Sequence, residues 1–523
     1  MPMTCKSVCF KLFFLVFIST INTSLFAQDK TTIKLANTFF DKENFEEALP
    51  EYLELLKSDE GNMIYNYRVG VCYLNTNIDK SNAVTYLEKV VNLEKPNLKA
   101  YYLLGRAYHF AYRFNDAITM YQKFRELNGT GIDLNDLEKQ IEYCYNAIEI
   151  MKFQLDVTFK NLGPQINSNG PDYYPFVPQD ESFLVFNSKR DDGSAKMPNG
   201  SYFSEIYFSR TKNGELSKAR KLDQNINTLN GSEEVVGLSS DGKYILFYFE
   251  NEKYYGDLFI AELENDKVIN LEKLPVEVNS SSHEIAASIS SEGDEIYFAS
   301  DRDGGYGGVD IYVTKKLPNG KWGLPQNLGA TINTKFDEDF PNISSDGKTL
   351  YFSSKGHTSM GGYDIFKASW DNVKRTWSTV KNLGYPINTP EDNMNYRESK
   401  TGRTGYISAL RAGGLGDLDI YSVTFNEVDP DYTVIKGFVT CTDTTQILKN
   451  VMISVLDLQT DEEYGSYLAN PNTGRYIIIL PPGKFNFLVD VPGYKIYMED
   501  INIYGKDAYK STISKNIKVE KKE

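Results

Sequence analysis

Histidine is nearly absent: 523 residues hold three, His109, His283 and His357. Hydrolytic and metal centres draw heavily on imidazole as base or ligand, so a histidine-built site is poorly supplied. "HEIAAS" at His283 starts like H-E-x-x-H, but Ala287 stands where a second imidazole would complete a zinc grip. No G-x-S-x-G elbow occurs, which removes the prolyl-oligopeptidase kind of serine hydrolase. Cysteine is scarce as well. Cys5 and Cys9 sit in an N-terminal leader, and Cys72, Cys144 and Cys441 are too few and scattered for a disulfide framework. All three read as small buried hydrophobes, with a Cys72–Cys144 bridge left open.

Long apolar runs are missing too. The run from Leu12 to Ile18 falls short of the ~20 residues that span a bilayer. Preceded by Lys6 and Lys11 and followed by "SLFAQ", it reads as a secretory signal cleaved after Ala27. No later segment is apolar enough to span, so no transmembrane insertion is expected. Positive charge is in deficit: the net charge of −15 becomes −17 once Lys6 and Lys11 leave. Such a surface repels phosphate backbones and argues against nucleic acid as a partner.

Abundance lies in aromatic residues and in repetition. Tyrosine (37) and phenylalanine (30) favour the half-buried surface of a strand. The length predicts two to four domains. From 28 to 151 the apolar period is helical. Tyr101, Leu104, Gly105, Tyr108, Ala117 and Tyr121 are echoed by Val69, Gly70 and Tyr73, and again by Leu35, Ala36, Phe39, Ala48 and Tyr52. These offsets resemble tetratricopeptide repeats, and three of them with a capping helix from Leu134 to Ile150 predict a short α-helical solenoid. Its concave face, on this alignment, carries Tyr67, Tyr102, Arg106 and His109 as candidate partner-binding residues, with packing against the neighbouring domain as the alternative.

From 152 to 428 the period becomes two. "EIYFS" at Glu205, "DLFIA" at Asp257, "DIYVT" at Asp310, "DIFKA" at Asp364 and "DIYSV" at Asp419 lie 52, 53, 54 and 55 residues apart. An Ile–Asn or Val–Asn pair precedes each, at Asn167, Asn227, Asn279, Asn333 and Asn388. Units of this length with about four strands each predict a five-bladed β-propeller, closed by "KFQLDVTF" at 152–159. Asp257, Asp310, Asp364 and Asp419 are then structural repeat positions, accepting backbone N–H bonds beside Gly307, Gly308, Gly361 and Gly362, glycines free to take positive φ. "DRDGG" at Asp301 and Asp303 is read as turn-building in preference to calcium-binding. "SSDGKTLYFSS" and "GGYDIF" resemble the WD40-like repeats of the TolB type.

From 429 to 518 alternating strands predict a small β-sandwich, with a charged, loose tail at 519–523. Gly437, Val439, Val451, Val455, Gly474, Tyr476, Leu480, Gly483, Gly493 and Tyr494 resemble the seven-stranded, transthyretin-like carboxypeptidase regulatory-like domain.

Signal, solenoid, propeller and sandwich in this order resemble PorE-type envelope proteins of Bacteroidetes, a family associated with type IX secretion and gliding. The resemblance implies a non-enzymatic scaffold or adaptor in the periplasm, associated with the outer membrane, binding envelope proteins through the solenoid groove and propeller faces. It implies no catalytic residues, cofactor or metal. The family's C-terminal OmpA-like domain, with its N-x-x-L-S-x-x-R-A core, is not matched, which puts direct peptidoglycan attachment in doubt. A glycan or peptidoglycan binder and a propeller enzyme with acidic residues converging in the channel remain the other expectations.

Overall fold

The computed structural model describes residues 30–522, apart from 194–195, 198–199, 224, 229–230, 251–254, 379, 400–401, 427–432, 443–447 and 504–511. The expected signal segment 1–27 lies outside them. The chain divides into two compact units, one ending at Thr424 and the other beginning at Phe425. The helices and the repeated sheets thus belong to a single unit.

Among its described residues that unit opens with seven α-helices: α1 (30–41), α2 (Phe45–Ser58), α3 (Met63–Leu74), α4 (Ala83–Val91), α5 (Leu98–Phe110), α6 (Phe114–Glu126) and α7 (Leu134–Ile150). Asparagine or aspartate opens several of them. Asn62 accepts from the Ile64 and Tyr65 amides, Asn97 from Lys99 and Asp133 from Asn135, satisfying amides that the first turn leaves free. A Cβ on Gly105 would meet the Tyr121 ring at 2.6 Å, and one on Gly70 would meet Leu87 at 2.5 Å. Only glycine lets these paired helices approach so closely. Cys72 and Cys144 are free and buried, which closes the bridge left open above. Burial pushes both thiols up to about 12, so they pack as hydrophobes.

Five antiparallel sheets follow. The first holds Asp172–Phe176, Phe183–Ser188 and Glu205–Lys212 with two short partners; the second, Ser232–Leu238, Tyr244–Glu250, Tyr255–Glu264 and Lys267–Lys273. The third holds Ala286–Ile289, Glu295–Ser300, Asp310–Lys315 and Gln326–Asn327; the fourth, Glu338–Ile343, Thr349–Ser354, Asp364–Asp371 and two short strands. In the fifth, Arg397–Glu398, Thr404–Ala409 and Asp419–Phe425 are joined by Val157–Asn161 from the start of the β-region. The first strand of the β-region therefore completes the fifth sheet.

Apolar layers link one sheet to the next. Phe183 and Phe208 meet Phe247 and Phe259; Leu246 and Leu258 meet Ile296 and Phe298; Ile311 and Val313 meet Leu350 and Phe352; Leu184 and Phe186 meet Ile420. Between the fourth and fifth, Tyr351 packs on Tyr396 with ring centroids 5.0 Å apart. Middle strands such as Phe183–Ser188 are consequently buried on both faces. Such layers supply about 25 cal/mol per Å² of apolar surface removed from water.

The repeated asparagines have one task. In each sheet the side chain accepts from and donates to the backbone of the residue after the signature acid: Asn167 with Ile420, Asn227 with Ile206, Asn279 with Leu258, Asn333 with Ile311 and Asn388 with Ile365. The amide's paired donor and acceptor suit this double bond. Asp310 accepts from the Tyr306 and Gly307 amides, Asp364 from Met360 and Asp419 from Leu415. Asp257 instead accepts from Lys273 Nζ at 2.6 Å, and part of its preceding loop lies outside the described residues.

The glycine expectation needs correcting. Gly307, Gly308, Gly361 and Gly362 are absent from the positive-φ glycines, whereas Gly304 and Gly413 are among them. Space is the reason for glycine here: a Cβ on Gly307 would lie 1.9 Å from the Phe336 carbonyl oxygen, and one on Gly361 would lie 2.6 Å from that of Pro390. Each loop is pressed against the backbone leading into the next sheet.

Among its described residues the second unit forms eight strands in two four-stranded sheets. One carries Thr433–Cys441 between Arg475–Leu480 and the parallel pair Thr512–Ser514 and Ile517–Val519; the other carries Glu462–Leu468, Met452–Asp457, Gly483–Asp490 and Tyr497–Ile503. Ile435, Val455, Tyr476, Ile478, Phe485 and Phe487 share one core, which Arg475–Leu480 supplies by strict alternation. The tail expected to be loose is paired up to Lys522. Ile517 and Val519 alternate into the core, the Lys495 amide donates to the Glu520 carbonyl, and Lys522 donates to that of Gly493.

Candidate functional site

Side chains four and three apart share a helix face, so Tyr102, Arg106 and His109 lie along one side of α5. They line a cleft of about 350 Å³ whose opposite wall is the turn Gly361–Gly362 and the segment Pro390–Asp392 of the β-region. Tyr67, on α3, is not part of that lining; it is half-buried against the helical core.

Contacts around the cleft hold helices and sheets together. His109 is 3% exposed, and its Nε2 lies 2.8 Å from the Met360 carbonyl oxygen. Burial pulls its pKa down to about 4, so the neutral ring donates that bond. From α7, Tyr143 donates to the Lys355 carbonyl at 2.7 Å and Asn146 to that of Ser359 at 2.9 Å, while Lys139 Nζ stands 4.6 Å from the centre of the Phe336 ring. Lys80 pairs with Glu391, and Asn77 donates to Asp417 at 2.7 Å. His109 follows the packing alternative. It faces the neighbouring sheets and is spent on them, because an imidazole buried there must satisfy its polar edge locally.

Arg106 is different. Its guanidinium carbon lies 5.8 Å from the Phe110 ring centre, and it has no ion pair among the described residues. Tyr102 rests on Tyr121 and Phe124, at 5.7 and 5.9 Å between ring centroids, and burial raises its phenol pKa. Glu391 across the cleft is raised by burial and held back by Lys80. The cleft therefore offers an aromatic edge, one unpaired cation and a carboxylate already committed to Lys80. Aromatic and arginine side chains are common anchors at protein interfaces.

The remaining candidates have structural partners. His283 Nδ1 pairs with Asp301 Oδ2 at 2.9 Å, an exposed contact that raises the imidazole pKa. His357 Nε2 lies 2.8 Å from the Ile332 carbonyl oxygen, and burial lowers its pKa. Among the described residues, no group of three or more His, Cys, Asp or Glu is placed to hold a metal ion. No described helix is long and apolar enough to cross a membrane.

A set of buried charges escaped the sequence reading. Each sheet places one acid or amide at the head of its first strand, bonded to a nearby hydroxyl: Asp172 to Ser168, Glu233 to Thr228, Glu284 to Ser280, Glu338 to Thr334 and Asn393 to Thr389. Arg190 pairs with Asp172, and Arg302 with Glu284 at 3.1 Å. In the fourth sheet Gly356 stands at the arginine's place, and desolvation pushes Glu338 up to about 7. In the fifth, Asn393 replaces the acid while Arg411 remains and donates to the Pro386 carbonyl at 2.6 Å. A fourth arginine, Arg397, lies buried beside the first strands. The signal for these residues was present as "KRD", "DRD" and "LRA" at equal repeat offsets, but their ion pairs join segments about 18 residues apart.

No protein-family model matches this sequence. No curated protein matches it either. Among solved structures, TolB from Acinetobacter baumannii is similar over 56% of this chain and 71% of its own, at 15% identity and a TM-score of 0.31. An alpha-L-arabinofuranosidase from Lactobacillus brevis is similar over 50% of this chain and 91% of its own, at 12% identity and a TM-score of 0.32. A prolyl endopeptidase structure covers 71% of this chain and 62% of its own, at 10% identity and a TM-score of 0.26. These are likenesses at low identity, and no activity or residue role passes from those proteins to this chain.

Proposed function

We propose that this protein is a non-enzymatic adaptor of the bacterial envelope, exported to the periplasm, associated with the outer membrane and binding other envelope proteins. In this reading the helices are a tetratricopeptide solenoid, the five sheets are blades of one closed propeller, and the second unit is a transthyretin-like sandwich. Its place beside PorE-type proteins of the type IX secretion and gliding machinery belongs to the same reading. The observation that supports it is the cleft along α5: His109, Tyr143 and Asn146 bind backbone carbonyls of the sheets, leaving Tyr102 and Arg106 together at a gap with no ion pair for Arg106 among the described residues. Aromatic and arginine side chains in such a setting anchor a partner's polar chain.

Cross-linking in envelope fractions followed by mass spectrometry tests this. The wild-type protein is expected to recover defined envelope proteins, and Tyr102→Ala combined with Arg106→Ala to lose them while its far-UV circular dichroism stays that of the folded chain, with Tm lowered by roughly 4–8 °C because Tyr102 packs on Tyr121 and Phe124. Recovery unaffected by the double substitution overturns the reading. Retention on purified cell wall in place of protein capture would favour a glycan or peptidoglycan binder, and turnover of a glycan would favour an enzyme.

A further inference from the structure

Arg397 is 5% exposed and lines a cavity of about 230 Å³ at the ends of the first strands of four sheets. Its Nε donates to Asn395 Oδ1 at 3.1 Å and its Nη1 to Asn342 Oδ1. Both amides are locked as acceptors, because Asn395 Nδ2 donates to the Pro175 carbonyl at 3.1 Å and Asn342 Nδ2 to that of Tyr396 at 3.0 Å. The guanidinium carbon sits 4.2 Å from the centre of the Phe176 ring, which orients the planar fork. Nη2 has no hydrogen-bond partner among the described residues.

Of the other arginines, Arg411 likewise lacks a carboxylate but is only partly buried and donates to the Pro386 carbonyl. Arg190 and Arg302 each reach a carboxylate, so their charge is neutralised inside the protein. Arg397 has only amide oxygens, which hold it without neutralising it. Burying an uncompensated cation is expensive, and burial lowers its pKa only to about 9, so it stays charged at neutral pH. Ser345, which lines the same cavity, is exposed and accepts from Gln179 Nε2 at 2.6 Å.

We propose that this cavity is a binding site for a single carboxylate group, held by the free edge of the Arg397 guanidinium. Two rim acids set the limit to one charge. Glu398 accepts from the Tyr351 hydroxyl at 2.8 Å and Asp346 from Ser344 Oγ at 2.6 Å; both are exposed and screened, yet they disfavour a dianion. The carboxylate is carried either by a small aliphatic acid or by a chain terminus. The site is independent of the cleft along α5.

The full chain is titrated with butyrate, N-acetylglycine and the uncharged N-acetylglycinamide, by calorimetry and by thermal shift. At least one acid is expected to bind and raise Tm by about 1–3 °C, and the amide to have no effect. Binding of butyrate alone identifies a small acid, and of N-acetylglycine alone a chain terminus. Arg397→Met is expected to weaken the acid at least about tenfold, and Ser345→Asp, on an exposed turn, to weaken it without touching the core. Should Arg397→Met not fold, Ser345→Asp decides by itself. No binding by either acid, equal binding of the amide, or unchanged affinity in the folded variants overturns the proposal.

Discussion

In the third sheet Arg302 donates to Glu284 at 3.1 Å, whereas in the fifth the matching Arg411 finds Asn393 where that carboxylate would stand and turns to the Pro386 carbonyl. The backbone plan of the two sheets is nevertheless the same. Asn333 and Asn167 bind the residue after the signature aspartate with both ends of their amides, and Asp310 and Asp419 each accept from the loop before them. What must be repeated is the set of bonds that satisfies buried backbone groups, since an orphaned donor or acceptor costs about 1–3 kcal/mol wherever it occurs. Charge can differ between sheets as long as each ion finds some partner. The fourth sheet shows the complementary case, an acid without its arginine.

The largest test removes the intact pair. Glu284→Ala leaves Arg302 buried without a carboxylate and is expected to destabilise the first unit by about 3–5 kcal/mol, read from its denaturation midpoint. A change below about 1 kcal/mol would mean that the third and fifth sheets do not differ energetically.

The next test concerns pH. Desolvation raises Glu338 from 4.5 to about 7, so between these values the folded chain holds a proton that the unfolded chain has released. Stability from this group is therefore greatest below about 4.5 and falls as pH rises towards 7. Glu338→Gln is expected to flatten that fall, gaining on the order of 2 kcal/mol relative to wild type at pH 8 compared with pH 5. Parallel stability curves for the two proteins would contradict it.

The smallest effect comes from repair. Asn393→Asp supplies Arg411 with the carboxylate that its counterparts have, and its Nε is buried without a partner among the described residues. A gain of about 1 kcal/mol above pH 5 is expected in the same denaturation measurement. A loss instead would show that the two positions are not equivalent in space.

Much of the architecture could be read directly. Helical spacing located α7 at Leu134–Ile150, and the aspartate signature located the third strand of every sheet, because both follow from the period at which side chains return to one face. Reading the glycines was harder. Their repetition was visible at Gly307 and Gly361, yet positive φ was inferred where close approach to another segment's carbonyl is the cause. Tyr102, Arg106 and His109 were found by helix position and do line one cleft, but whether a residue there meets a partner or a neighbouring sheet depends on what packs opposite. Arg397 gave no signal at all, since "NYRESK" belongs to no repeated pattern.

Local order thus came from the sequence alone: which segments are helix or strand, where the aspartate signature recurs, and that Asp310, Asp364 and Asp419 bond to backbone amides a few residues away. Tertiary structure decided which loop presses on Gly307, that His109 is consumed by Met360, and that Arg397 keeps an unneutralised charge beside a cavity. The physical reason is distance along the chain. Periodicity records contacts within a turn of helix or a strand pair, whereas desolvation and charge pairing depend on residues brought together from far apart, and no period encodes them.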